Sequence, residues 1–229
     1  MQLERDDGRT GRRWSPDALA VIVGLAVLAA GMAIVGPDGR LPGVEESVFR
    51  GINDLPGWIE PIAWPFQQLG AIFVGPIVAI VAVALRRYRL AIAALVVTAA
   101  KLVTERLVKA AVSRQRPGTS IGPDIETRGD VHLSGESFVS GHAVLVAALA
   151  GVVTPYLPGR WKVVPWLCVA AVMVGRVYVG AHNPLDVVCG AALGVAIAGA
   201  VNLVARPRPE VPDQRARASS PSTVRARKS

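Results

Sequence analysis

The sequence predicts an all-α fold, a bundle of six transmembrane helices, and three observations carry that expectation. Ala, Val, Leu and Ile are gathered into six blocks, at about 17–36, 66–85, 90–112, 138–157, 163–181 and 184–205. Each is near the roughly 20 mostly apolar residues that a helix needs to cross a bilayer. Apolar residues make up 52% of the chain while aromatics make up only 5%, and a soluble domain of this size would interleave such blocks with charge. The basic residues, finally, sit at the ends of the blocks and in the C-terminal tail.

The boundaries have local reasons. Asp17 follows Pro16 at the start of the first block. Arg12 and Arg13 precede it, as in a signal peptide, but five further spans make an uncleaved first span the simpler reading. The segment from Val44 to Leu55 spaces Val44, Val48, Ile52 and Leu55 as a short surface helix would, and reads equally as a plain loop. Arg86, Arg87 and Arg89 stop the second span, and Pro158-Gly159 breaks the chain after the fourth. Asn183-Pro184 reads as an N-cap followed by proline at the first helical position of the sixth. Cys168 and Cys189 lie within apolar blocks and read as small hydrophobes, not as a disulfide framework. No internal repeat is evident. Three regions result: a cytoplasmic N-terminal segment (1–16), a six-span domain (17–205) and a basic tail (206–229), rich in Pro, Arg and Ser and expected to be disordered.

Charge sets the orientation. Of 25 Lys and Arg, 16 fall in the N-terminus, the loops at 86–89 and 158–162, and the tail. Excess Lys and Arg mark the cytoplasmic side. Both termini are therefore expected inside, in a multi-pass protein of the plasma (inner) membrane, with the loop 113–137 and the turn at His182 outside. The formal charge of +8 fits an anionic membrane surface better than nucleic acid. Membrane lipids are the expected surroundings, and no obligatory protein partner is evident.

Ionisable residues in or beside spans default to functional candidates. Three clusters converge on the outer face: Lys109 to Pro117, Phe138 to His142, and Arg176 to Asp186. Lys109, Arg116 and Arg176 concentrate positive charge suited to a phosphate dianion and to the charge that develops during its transfer. Ser140 and Gly141 precede a helix start, where free N–H groups favour an anion. His182 lies four residues before Asp186, a carboxylate able to hold one ring N–H and leave the other nitrogen free to attack phosphorus. His142 has a proton to give to a leaving oxygen. His132, near Asp130 and Glu136, reads as solvated. On the third span Lys101, Glu105 and Lys109 are at pairing distance along one helix face, which for Lys101 and Glu105 reads as charge neutralisation.

The spacings Lys-x6-Arg-Pro, Ser-Gly-His and Arg-x5-His-x3-Asp, in that order on successive spans, resemble the three signature motifs of the type 2 phosphatidic acid phosphatase (PAP2) family. The resemblance covers roughly residues 58–205. It implies a PAP2-like six-helix core and a lipid phosphatase that needs no metal or cofactor and works through a phosphohistidine. His182 would be the nucleophile, Asp186 its orienting partner and His142 the general acid; Lys109, Arg116, Ser140, Gly141 and Arg176 would bind phosphate. The substrate would be a lipid phosphate at the outer face, a polyprenyl diphosphate ahead of phosphatidate. Two positions depart from the family pattern: Val139 replaces the usual Pro before Ser-Gly-His, and Gly175 the usual Ser before the third-motif Arg.

Other classes compete. His142, His182 and Asp186 form a two-His, one-carboxylate set that a cation could take, although three cationic side chains nearby oppose it. A transporter would need broken helices or inverted repeats, and none is evident. A lipid phosphotransferase and a non-catalytic lipid-binding member complete the alternatives.

Overall fold

The computed structural model describes residues 15–129, 131 and 135–205. Most of the N-terminal segment, the tail 206–229, Asp130 and His132 lie outside the described residues, and so do the expectations placed on them.

Helix α1 (Pro16–Val35) begins as local chemistry dictates: Ser15 Oγ accepts the N–H of Ala18 at 3.1 Å and Pro16 takes the first position. Then come α2 (Gly43–Asn53), α3 (Glu60–Gln68), α4 (Val74–Ala84), α5 (Tyr88–Ala111), α6 (Pro117–Ser120), α7 (Gly141–Val153), α8 (Val164–Tyr178) and α9 (Pro184–Ala205). The described chain is all-α. Helices α1, α4, α5, α7, α8 and α9 correspond to the six expected spans. Among the described residues, three segments suffice by length and apolar content to cross a bilayer: Pro16–Val35, Gly159–Tyr178 and Pro184–Ala205.

The second span departs from expectation. The block 66–85 is not one helix: α3 stops at Gln68 and α4 starts at Val74, with turns between. Irregular backbone at membrane depth is tolerated beside a cavity, and Gln67 and Gln68, the last residues of α3 before the break, line one. Gly70, within the break, lets His142 pack close: a Cβ there would stand 2.6 Å from the Cβ of His142. The fourth span also starts three residues later than expected, at Gly141, with Ser140 as N-cap residue.

Helix α9 is the hub. It packs along both α1 and α7, and small residues make the crossings close. A Cβ at Gly24 would meet the Ala192 carbonyl oxygen at 2.5 Å, and one at Gly190 would meet that of Ser140 at 2.7 Å. Close approach through small residues is how helices associate where lipid removes the hydrophobic drive. The core between α5, α7 and α9 holds Val97, Phe138, Val144, Leu145, Val152 and Leu193. Leu19, Ile80, Ile92 and Leu107 point outward and are half exposed or more, as lipid-facing side chains would be. Exposed Trp58 and Trp64 mark one end of the bundle, Trp161 and Trp166 the other, like the aromatic belts of membrane interfaces.

Helix α2 exists, and its faces are the reverse of a simple core helix. Val44 is 79% exposed and Val48 and Leu55 also point outward, while Glu45, Phe49 and Asn53 are buried. Val44 and Val48 therefore face the surroundings, Ile52 packs inward with Phe49, and a carboxylate goes inward.

Candidate active site

A cavity of about 520 Å³ opens at the end of the bundle marked by Trp64. Its wall includes Lys109, Arg116, Gly141, His142, Arg176 and His182, with Lys101, Glu105, Gln67 and Arg128. Six of the eight residues singled out from the sequence therefore border one space. The other two, Ser140 and Asp186, stand behind it, fully buried.

His182 occupies the turn between α8 and α9 and is 3% exposed. Its Nδ1 lies 3.0 Å from the carbonyl oxygen of Ser137. A carbonyl only accepts, so Nδ1 carries the proton and the Nε2 lone pair is free. Burial pushes the imidazole pKa down to about 4, with Asp186 opposing, so the ring is neutral at physiological pH. The expected Asp186 contact is longer than a hydrogen bond: Nδ1 to Oδ2 is 3.7 Å. Asp186 acts one step removed. Its Oδ2 accepts from Ser137 Oγ at 2.5 Å and from the Asn183 N–H at 2.7 Å, which ties the turn holding His182 to the segment that supplies the Ser137 carbonyl.

The other oxygen of Asp186 reaches Arg114, a residue of the Lys109–Pro117 cluster to which the sequence assigned no role. Arg114 Nη1 donates to Asp186 Oδ1 at 2.7 Å, and Nη2 donates to Glu45 Oε2 at 2.5 Å. Arg114 is completely buried. Glu45 also accepts the Leu185 N–H at 2.7 Å and so caps α9, whereas the side chain of Asn183, the expected cap, makes no hydrogen bond. A continuous chain of charge thus runs from α2 to the turn that holds His182. In sequence, little separates Arg114 and Glu45 from solvated loop charges. The only signal was the i,i+4,i+8 register that places Glu45 beside Phe49 and Asn53.

The cations are held separately. Arg116 Nη1 donates to the Ala181 carbonyl at 3.0 Å and Arg176 Nη1 to Gln67 Oε1 at 3.1 Å. Gly175 makes room for that second contact: a Cβ there would stand 3.3 Å from Gln67 Cγ, a tight approach at a position where the family usually has Ser. Lys109 Nζ pairs with Glu105 at 2.8 Å and Lys101 Nζ with the same carboxylate at 2.7 Å, as the helix spacing predicted. The Ser140 N–H donates to the Asp186 carbonyl at 3.0 Å, and Val139 is fully buried in the core. Among the described residues no cluster of three His, Cys, Asp or Glu is placed to hold a metal ion.

Comparison with protein families matches residues 89–210, more than half of the chain, to the PAP2 superfamily. The chain belongs to the PAP2 superfamily. The matched stretch contains the three motifs and the helices α5, α7, α8 and α9 that carry them. Among curated proteins, none matches the sequence. Two solved PAP2-like structures share the fold. The crystal structure of Aquifex aeolicus LpxE superposes with a TM-score of 0.64 at 23% identity, over 71% of this chain and 96% of that one. That of a transmembrane PAP2-type phosphatidylglycerolphosphate phosphatase from Bacillus subtilis gives 0.63 at 21%, over 83% and 96%. Family and fold together support a membrane phosphatase.

Proposed function

We propose that this PAP2 protein removes phosphate from a lipid at the outer face of the membrane, through a phosphohistidine on His182. The observation that carries the reading is the placement of His182. Its Nδ1 proton is committed to a backbone carbonyl, and its ring borders the same cavity as His142, Lys109, Arg116 and Arg176. In the first step the Nε2 lone pair attacks phosphorus. The bond from phosphorus to the lipid oxygen breaks, and His142 gives that oxygen its proton. In the second step water attacks the phosphohistidine, loses a proton to His142 and frees inorganic phosphate and His182. Lys109, Arg116, Arg176 and the N–H groups at the start of α7 neutralise charge on the phosphoryl oxygens. No step requires a metal, and turnover is expected to survive excess chelator.

The outward orientation favours a lipid exposed on the outer leaflet. Polyprenyl diphosphate is placed ahead of phosphatidate because its leaving group is a phosphate monoester, which needs less proton donation than an alkoxide. The short loops around the cavity leave recognition to a compact anionic headgroup and an apolar tail. The test compares specificity constants on undecaprenyl diphosphate, phosphatidate and phosphatidylglycerophosphate in one detergent, with and without chelator. A preference of more than tenfold for phosphatidate, about 1.4 kcal/mol in transition-state binding, reverses the ranking. Loss of activity in chelator, restored by zinc or magnesium, overturns the metal-free mechanism.

A further inference from the structure

Helix α5 carries Lys101, Glu105 and Lys109 one turn apart, and all three border the cavity. Glu105 bridges its neighbours, with Oε2 2.7 Å from Lys101 Nζ and Oε1 2.8 Å from Lys109 Nζ. The same carboxylate lies against the first residue of α7: a Cβ on residue 141 would meet its two oxygens at 2.5 and 2.6 Å. No side chain caps α7, and the fully buried Ser140 Oγ has no hydrogen-bond partner. The first-turn N–H groups of α7 are thus left for an anion. The anion beside them is Glu105, held on the lysine assigned above to the substrate.

We propose that Glu105 is an internal competitor for the phosphate subsite, and that Lys101 is the residue that holds it aside. The inference rests on the phosphatase reading and deepens it. An arriving phosphate takes Lys109 and the start of α7, and Glu105 keeps Lys101 as its partner. Lys101 never touches the phosphate; it neutralises a carboxylate that would otherwise repel it. One ion pair is exchanged for another, so no charge is left buried without a partner. After hydrolysis the exchange runs backward. Glu105 returns to Lys109 and displaces inorganic phosphate from a site whose cations would otherwise retain it.

The test is calorimetric titration of inorganic phosphate and of vanadate into the purified full chain. Glu105→Gln is expected to tighten phosphate binding at least tenfold, about 1.4 kcal/mol, and to lower kcat through slower release. Lys101→Met is expected to weaken binding at least fivefold, because Glu105 then sits wholly on Lys109. The double variant is expected to bind as tightly as Glu105→Gln alone. Unchanged or weaker binding in Glu105→Gln overturns the proposal, and so does unchanged binding in Lys101→Met. If the unsubstituted chain binds neither anion saturably, the phosphatase reading falls together with the proposal; normal binding that ignores position 105 sinks the proposal alone.

Discussion

A histidine that attacks phosphorus must be neutral and must offer one lone pair in a fixed direction. His182 meets both conditions through its surroundings: burial favours the uncharged ring, and the Ser137 carbonyl takes the Nδ1 proton. His142 is placed differently, on the first turn of α7 and bordering the cavity, with Gly70 packed against its Cβ. That division of labour predicts different losses. His142→Ala is expected to cost on the order of 10²–10⁴ in rate on a lipid phosphate with a poor leaving group, the usual contribution of a general acid. The loss is expected to shrink on an aryl phosphate whose leaving oxygen needs no proton. Steady-state rates on the two substrates check it, and equal losses would remove His142 from the acid role.

Helix α2 is the element whose contribution exceeds its length. Through Glu45 it neutralises Arg114, caps α9 and so supports the turn that carries His182. Removing one member of a buried charge network strands the others and costs about 3–5 kcal/mol. Glu45→Gln and Arg114→Met are each expected to lower stability by that order. The double variant is expected to lose less than the two single losses combined, since neighbours in one network are not additive. Thermal unfolding in detergent measures it, and strict additivity would show that Glu45 and Arg114 are not coupled. The same element shows where the sequence was legible. The sixth span was readable to the residue, because Pro184 marks its start and opens a run of 22 apolar-rich residues. The chemical residues were readable because motif spacing on successive spans forces them to one end. Long-range partnership was not readable: nothing local pairs Glu45 with Arg114, 69 residues away. Nor did the apolar block 66–85 reveal its break around Gly70, where His142 of another helix packs close.

At the scale of the molecule, α9 joins α1 to α7 while the cavity opens at the end ringed by Trp58 and Trp64. With 16 of 25 basic residues in segments assigned to the opposite side, that end is expected to face outward. A cysteine placed at Gly129, on the cavity rim, is expected to react with an impermeant reagent in intact cells, and a reporter fused after Ser229 to lie in the cytoplasm. Labelling at 129 only after lysis would invert the topology. The central claim is that His182 receives the phosphoryl group of a lipid. Its most direct measurement is phosphate release from a panel of lipid phosphates and diphosphates by the purified chain and by His182→Ala, with acid-labile phosphoprotein trapped in parallel. The account predicts release and a trapped intermediate for the unsubstituted chain and neither for His182→Ala. Equal release by the two proteins, or a phosphorylated intermediate that persists in His182→Ala, would contradict it.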